Sequence, residues 1–113
     1  MNTFETSWDK KELAAYILLY CANANYQEDP EEIELIRSKV DKADYKAIRK
    51  EFEADNDYQS IQKIEAAVDR LGYSKKEINV LISEMKTLFL SDGHYDETEK
   101  MLFLGLKKIL KIS

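Results

Sequence analysis

Trp8-Asp9-Lys10-Lys11-Glu12-Leu13 and Tyr73-Ser74-Lys75-Lys76-Glu77-Ile78 are one device written twice. In each, a good helix-capping residue (Asp9 or Ser74) is followed three positions later by a glutamate, Glu12 or Glu77, the spacing of a capping box. An aromatic residue stands just before each cap and an aliphatic one four positions after it. Trp8 with Leu13, and Tyr73 with Ile78, therefore have the spacing of a hydrophobic staple. A long apolar segment follows both starts. Two strong helix starts ahead of two apolar runs make the chain all-α, and their recurrence reads as an internal duplication.

Working outward, the first helix is expected from about Lys10 to Asn25, with a broad apolar face of Leu13, Ala14, Ile17, Leu18, Cys21 and Ala24, plus Tyr16 and Tyr20. A second starts at an Asp29 cap with Pro30 at its first position, where the missing N–H costs nothing, and carries Ile33, Leu35, Ile36 and Val40. A third, more polar helix uses Tyr45, Ile48 and Phe52. A fourth begins near Asn56 or Asp57, buries Ile61, Ile64, Val68 and Leu71, and stops at Gly72. A fifth follows Ser74 with Ile78, Leu81, Ile82, Met85, Leu88 and Phe89. The last starts at Asp96 and is apolar nearly all round from Met101 to Leu106, so it is expected inside the bundle, with Gly105 admitting a close neighbour. Lys107, Lys108 and Lys111 suit the negative end of its dipole. No period-two pattern competes.

The chain has 113 residues and 13.2 kDa, the size of one domain that buries about two-thirds of its unfolded surface. Three glycines and one proline favour long helices over hairpins. The net charge of −5 and the lack of a basic stripe exclude a nucleic-acid partner, and suit cations or basic protein partners instead. Cys21, the single cysteine, forbids an intramolecular disulfide and fits a reducing cytoplasm. Lys10, Lys11 and the apolar run to Cys21 mimic a signal peptide, but Glu5, Asp9 and Glu12 spoil its positive leader. The run is also shorter than the ~20 residues of a membrane span.

Between the apolar segments lie two acidic turns. Ser91-Asp92-Gly93-His94-Tyr95-Asp96-Glu97-Thr98-Glu99 is echoed by Ala24-Asn25-Tyr26-Gln27-Glu28-Asp29-Pro30-Glu31-Glu32, with Asn25, Asp29 and Glu32 standing 67 positions before Asp92, Asp96 and Glu99. Oxygen-bearing side chains at a repeated spacing suit a hard cation. They equally suit two capped helix starts, Asp96 with Glu99 alone accounting for about 1 kcal/mol of capping. With Gly93 placed at the sixth position of a twelve-position calcium loop, Asp92, Asp96 and Glu99 fall on the fifth, ninth and twelfth. Leu88 and Leu90 then occupy the first and third, which excludes an EF-hand. Asp92 is the residue no cap requires. His94 points to water on this spacing, and Cys21 lies on an apolar face as an inert filler. No phosphate-cradling loop, zinc pair or nucleophile elbow appears, so the chain reads as non-enzymatic.

The apolar helix, the Ser-Asp-Gly-His-Tyr-Asp-Glu-Thr-Glu turn at 91–99 and the following apolar helix resemble the tellurite-resistance TerB-like family, as does the degenerate copy at 24–32. The resemblance runs from about Glu12 to Leu110. It implies a compact single domain over 1–113 of about six to seven helices around a buried helix hairpin. Pseudo-repeats at about 8–40 and 73–112 would be joined by helices at about 42–72. It also implies a non-enzymatic role in a bacterial stress response and acidic junctions that hold a divalent metal. Asp92, Asp96 and Glu99 match the motif, whereas in Asn25, Asp29 and Glu32 the first acid is replaced, as is the glycine by Tyr26. Two functions from different classes follow. One is weak binding of calcium, magnesium or manganese at these junctions. The other is a protein-interaction module in which the turns are only caps, and aromatic residues such as Tyr45, Phe52 and Tyr58 meet an unspecified partner.

Overall fold

Asp9 opens the first helix as its spacing predicts. In the computed structural model, which describes residues 6, 8–23, 30–90, 104, 105 and 108, the Glu12 amide donates to Asp9 Oδ1 at 2.8 Å and the Asp9 amide to Glu12 Oε1 at 3.1 Å. Helix α1 runs over Lys10–Ala22. It is followed by α2 (Pro30–Arg37), α3 (Lys42–Ala54), α4 (Asp57–Leu71) and α5 (Lys75–Leu90). The described residues hold five helices and no strand.

Each boundary has a local cause. Asn56 caps α4 and exchanges hydrogen bonds with Gln59, 2.8 and 2.9 Å, in a third capping box. Gly72 ends that helix at φ 62°, the left-handed conformation that a side chain disfavours, and its amide donates to the Val68 carbonyl at 3.2 Å. Ser74 and Glu77 form the expected box at the start of α5, at 3.1 and 3.2 Å. Because the same device also opens α4, a capping box alone does not mark a repeat.

The centre of the molecule is α1. Leu13, Ala15, Tyr16, Ile17, Leu18 and Leu19 are wholly shielded from solvent and Cys21 nearly so. Side chains point inward all around this helix, and it packs against α2, α3, α4 and α5 in turn. The others are one-sided. Helix α5 buries Ile78, Leu81, Met85 and Leu88 at helical spacing, α4 buries Ile64, Ala67 and Val68, and α3 offers Tyr45 and Ile48. Helix α2 contributes Ile36 and also packs on α5.

The last apolar run was expected inside the bundle, and only Leu104 and Gly105 of it lie among the described residues. Leu104 is 61% exposed, and a Cβ at Gly105 would meet nothing within 4 Å. Helix α1 has neighbours on every side. Among the described residues no helix is long and apolar enough to cross a membrane.

Candidate functional site

Five of the six residues that the sequence nominates for a metal, Asp92, Asp96, Glu99, Asn25 and Asp29, lie outside the described residues, as does His94. Glu32 is described. It is the third residue of α2 and only 4% exposed. Its counterparts at the third position of α1 and α5, Glu12 and Glu77, are both partly open to solvent. Leu88, the first position of that calcium-loop register, is fully buried within α5. Among the described residues no three His, Cys, Asp or Glu side chains are grouped to hold a metal.

The geometry draws attention elsewhere, to the edge where α1 and α5 both begin. Lys10, first in α1, forms an ion pair with Glu77 in the first turn of α5. The Lys10 Nζ also lies 5.2 Å from the centroid of the Tyr73 ring. The Tyr73 hydroxyl donates to the Lys10 carbonyl at 3.3 Å. Just beyond α2, Lys39 pairs with Glu84 at 3.0 Å, tying the end of α2 to α5. Between these ties opens a cleft of about 380 Å³ that includes Lys11, Ala14, Val80 and Leu81 in its lining. The Lys10 hydrogen bond, then the Ser74 amide and hydroxyl, hold the Glu77 carboxyl down at about 2. Burial first, then the nearby carboxylates of Glu77, Glu84 and Asp9, push the Tyr73 phenol up to about 12. At neutral pH this edge thus carries fixed ion pairs and a neutral phenol.

A second cluster joins α1, α3 and α4. The Tyr16 hydroxyl donates to Asp55 Oδ2 at 2.6 Å, and Ser60 Oγ lies 2.9 Å away. A phenol has one proton, so with the carboxylate as acceptor it is Ser60 that donates to Tyr16. Lys63 holds both Glu51 at 2.7 Å and Asp55 at 2.9 Å. Burial raises the Tyr16 phenol far above its ordinary range, and the Asp55 hydrogen bond and charge add to this. Burial alone would lower Lys63, but its bonds to Glu51 and Asp55 outweigh that and raise it. Trp8 and Phe52 close over the Tyr16 ring at centroid distances of 4.5 and 5.7 Å. The whole arrangement is a fastening. Tyr16 satisfies its hydroxyl in the core while Asp55, 8% exposed, shares its charge with Lys63.

Neither cluster was nominated from the sequence. The partners of Tyr16 are 39 and 44 positions away, and Lys10 and Glu77 are 67 apart. The one available signal was the doubled Lys-Lys-Glu, two lysines at each helix start against the dipole. Of the aromatics expected to meet a partner, Tyr45 is buried and Phe52 is partly buried against Tyr16. Tyr58, at 64% exposure, remains on the surface. No family model, curated protein or solved structure matches this chain.

Proposed function

We propose that the chain is a non-enzymatic, TerB-like helical domain of a bacterial stress-response system, acting by binding, with a divalent cation held weakly at its acidic helix junctions. On this reading the two halves are pseudo-repeats, six to seven helices complete the fold, and the domain works in the cytoplasm. The ligands are Asp92, Asp96 and Glu99, with Asn25, Asp29 and Glu32 as the weaker set. The observation that carries it is Glu32. A plain capping glutamate sits at the rim of its helix, as Glu12 and Glu77 do, whereas Glu32 is drawn almost wholly out of water. Its burial sets the acidic turn that opens α2 against the protein interior, where a carboxylate oxygen is held in one place rather than moving in solvent.

Calorimetry with calcium, magnesium and manganese tests it. The expected result is binding to at least one of them, with a dissociation constant on the order of 0.1–1 mM. The heat should disappear in Asp92→Ala and weaken in Glu32→Gln. No heat with any of the three cations refutes the metal reading.

A second reading, a protein-interaction module without metal, draws support from Tyr58 and Val80, large side chains left 64% and 55% exposed. Under it Asp96→Ala lowers the melting temperature equally with and without added cation. Gel filtration and pull-down that find neither self-association nor a partner would defeat it.

A further inference from the structure

We infer that the cleft between the starts of α1 and α5 binds a small amphiphilic monocarboxylate, an apolar chain or ring carrying one acidic group. Its volume of about 380 Å³ is within the roughly 300–1,000 Å³ typical of small-molecule sites. The wall is largely carbon, built from Ala14, Tyr73, Val80 and Leu81 together with the stems of the charged residues. Val80 is 55% exposed, so a ligand body lying there covers apolar surface that water now touches.

Charge selects the head group. Three lysines and two glutamates line the cleft. Glu77 engages Lys10 and Glu84 engages Lys39. Lys11 is exposed and has no carboxylate partner among the described residues. The cleft therefore carries one surplus positive charge, opposite in sign to the chain's net charge of −5. The nearby Asp9 carboxylate is turned onto the Glu12 amide at 2.8 Å. The first turns of α1 and α5 both border the cleft, and their dipoles add to the positive potential. One anion satisfies this rim, a neutral head leaves Lys11 unmatched, and a cationic head is repelled. The inference is independent of any cation at the acidic junctions.

The test is a nuclear magnetic resonance titration of the full chain with decanoate, decanol and decyltrimethylammonium, each below its micelle threshold. Decanoate should give saturable shifts centred on the amides of Lys11, Ala14, Val80 and Leu81. Lys11→Glu should weaken it by about three- to tenfold, the range of an exposed ion pair lost and reversed. An acid at that helix position favours folding, so a melting temperature that does not fall separates loss of binding from loss of structure. Val80→Asp should also weaken binding, with Val80→Thr as the gentler variant, while Lys50→Glu on α3 leaves it unchanged. An equal response to all three probes, shifts scattered over the surface, no saturation, or indifference to Lys11→Glu would overturn the inference.

Discussion

Tyr16 shows how much one atom contributes at the centre of this molecule. Its hydroxyl joins Asp55 and Ser60, and Tyr16→Phe leaves both without that partner while keeping the ring packed on Trp8 and Phe52. The expected cost is about 1–3 kcal/mol in urea unfolding. The same substitution should flatten the alkaline limb of stability. An unfolded tyrosine ionises near 10.0, whereas native Tyr16 holds its proton well above that. The native state thus binds more protons there, so stability is complete below pH 10 and falls above it. Thr6 is the converse case, since its Oγ1 is buried with no hydrogen-bond partner among the described residues. Thr6→Val, equal in shape, should be neutral or stabilise by up to about 1 kcal/mol. A loss in Thr6→Val as large as that expected of Tyr16→Phe would contradict the account of Thr6.

At the scale of elements, the starts and stops follow local chemistry. Gly72 has open space around a hypothetical Cβ, so Gly72→Ala meets only the backbone penalty of its φ of 62°. That penalty is about 1–2 kcal/mol by thermal or chemical unfolding. A larger loss would mean that packing is involved as well. Helix starts at Asp9 and Ser74, the Asn56 start and the Gly72 stop were legible in the sequence because each is fixed by residues within four positions. The cleft and the Tyr16 cluster were not legible, because their members meet only after the helices pack. Glu32 stands between these cases. Its place in the acidic turn could be read from spacing, but its burial depends on the face that α2 turns to its neighbours. That α1 lies at the centre was not legible for a related reason. Periodicity describes one helix at a time and says nothing of how many neighbours it will acquire.

For the whole molecule, α1 dominates the described core, and the edge chemistry adds a pH dependence. Leu18→Ala removes a fully buried side chain from a helix with no bare side and should cost about 2–5 kcal/mol. A much smaller value would show that its surroundings collapse into the space. Glu77 contributes to the response to acid. Its carboxyl is held at about 2 in the fold against 4.5 ordinarily, so its contribution is complete above pH 4.5 and is lost as pH falls toward 2. Glu77→Gln should therefore lose part of the wild type's acid dependence in that window while changing little in its slope above pH 5. Indistinguishable acid profiles would show that Lys10 and Ser74 do not grip the carboxylate in solution. The exposed ion pairs themselves add little, because solvent and salt screen them.

The position of α1 in the chain has a consequence during synthesis. The helix that every other described helix covers leaves the ribosome before any of them, so its apolar circumference is not fully covered until α5 has been translated. The nascent protein must be sheltered, or remain loosely collapsed, for that interval. A truncation ending at Gly72, which lacks α5, should precipitate or recruit chaperones, whereas the full chain should not.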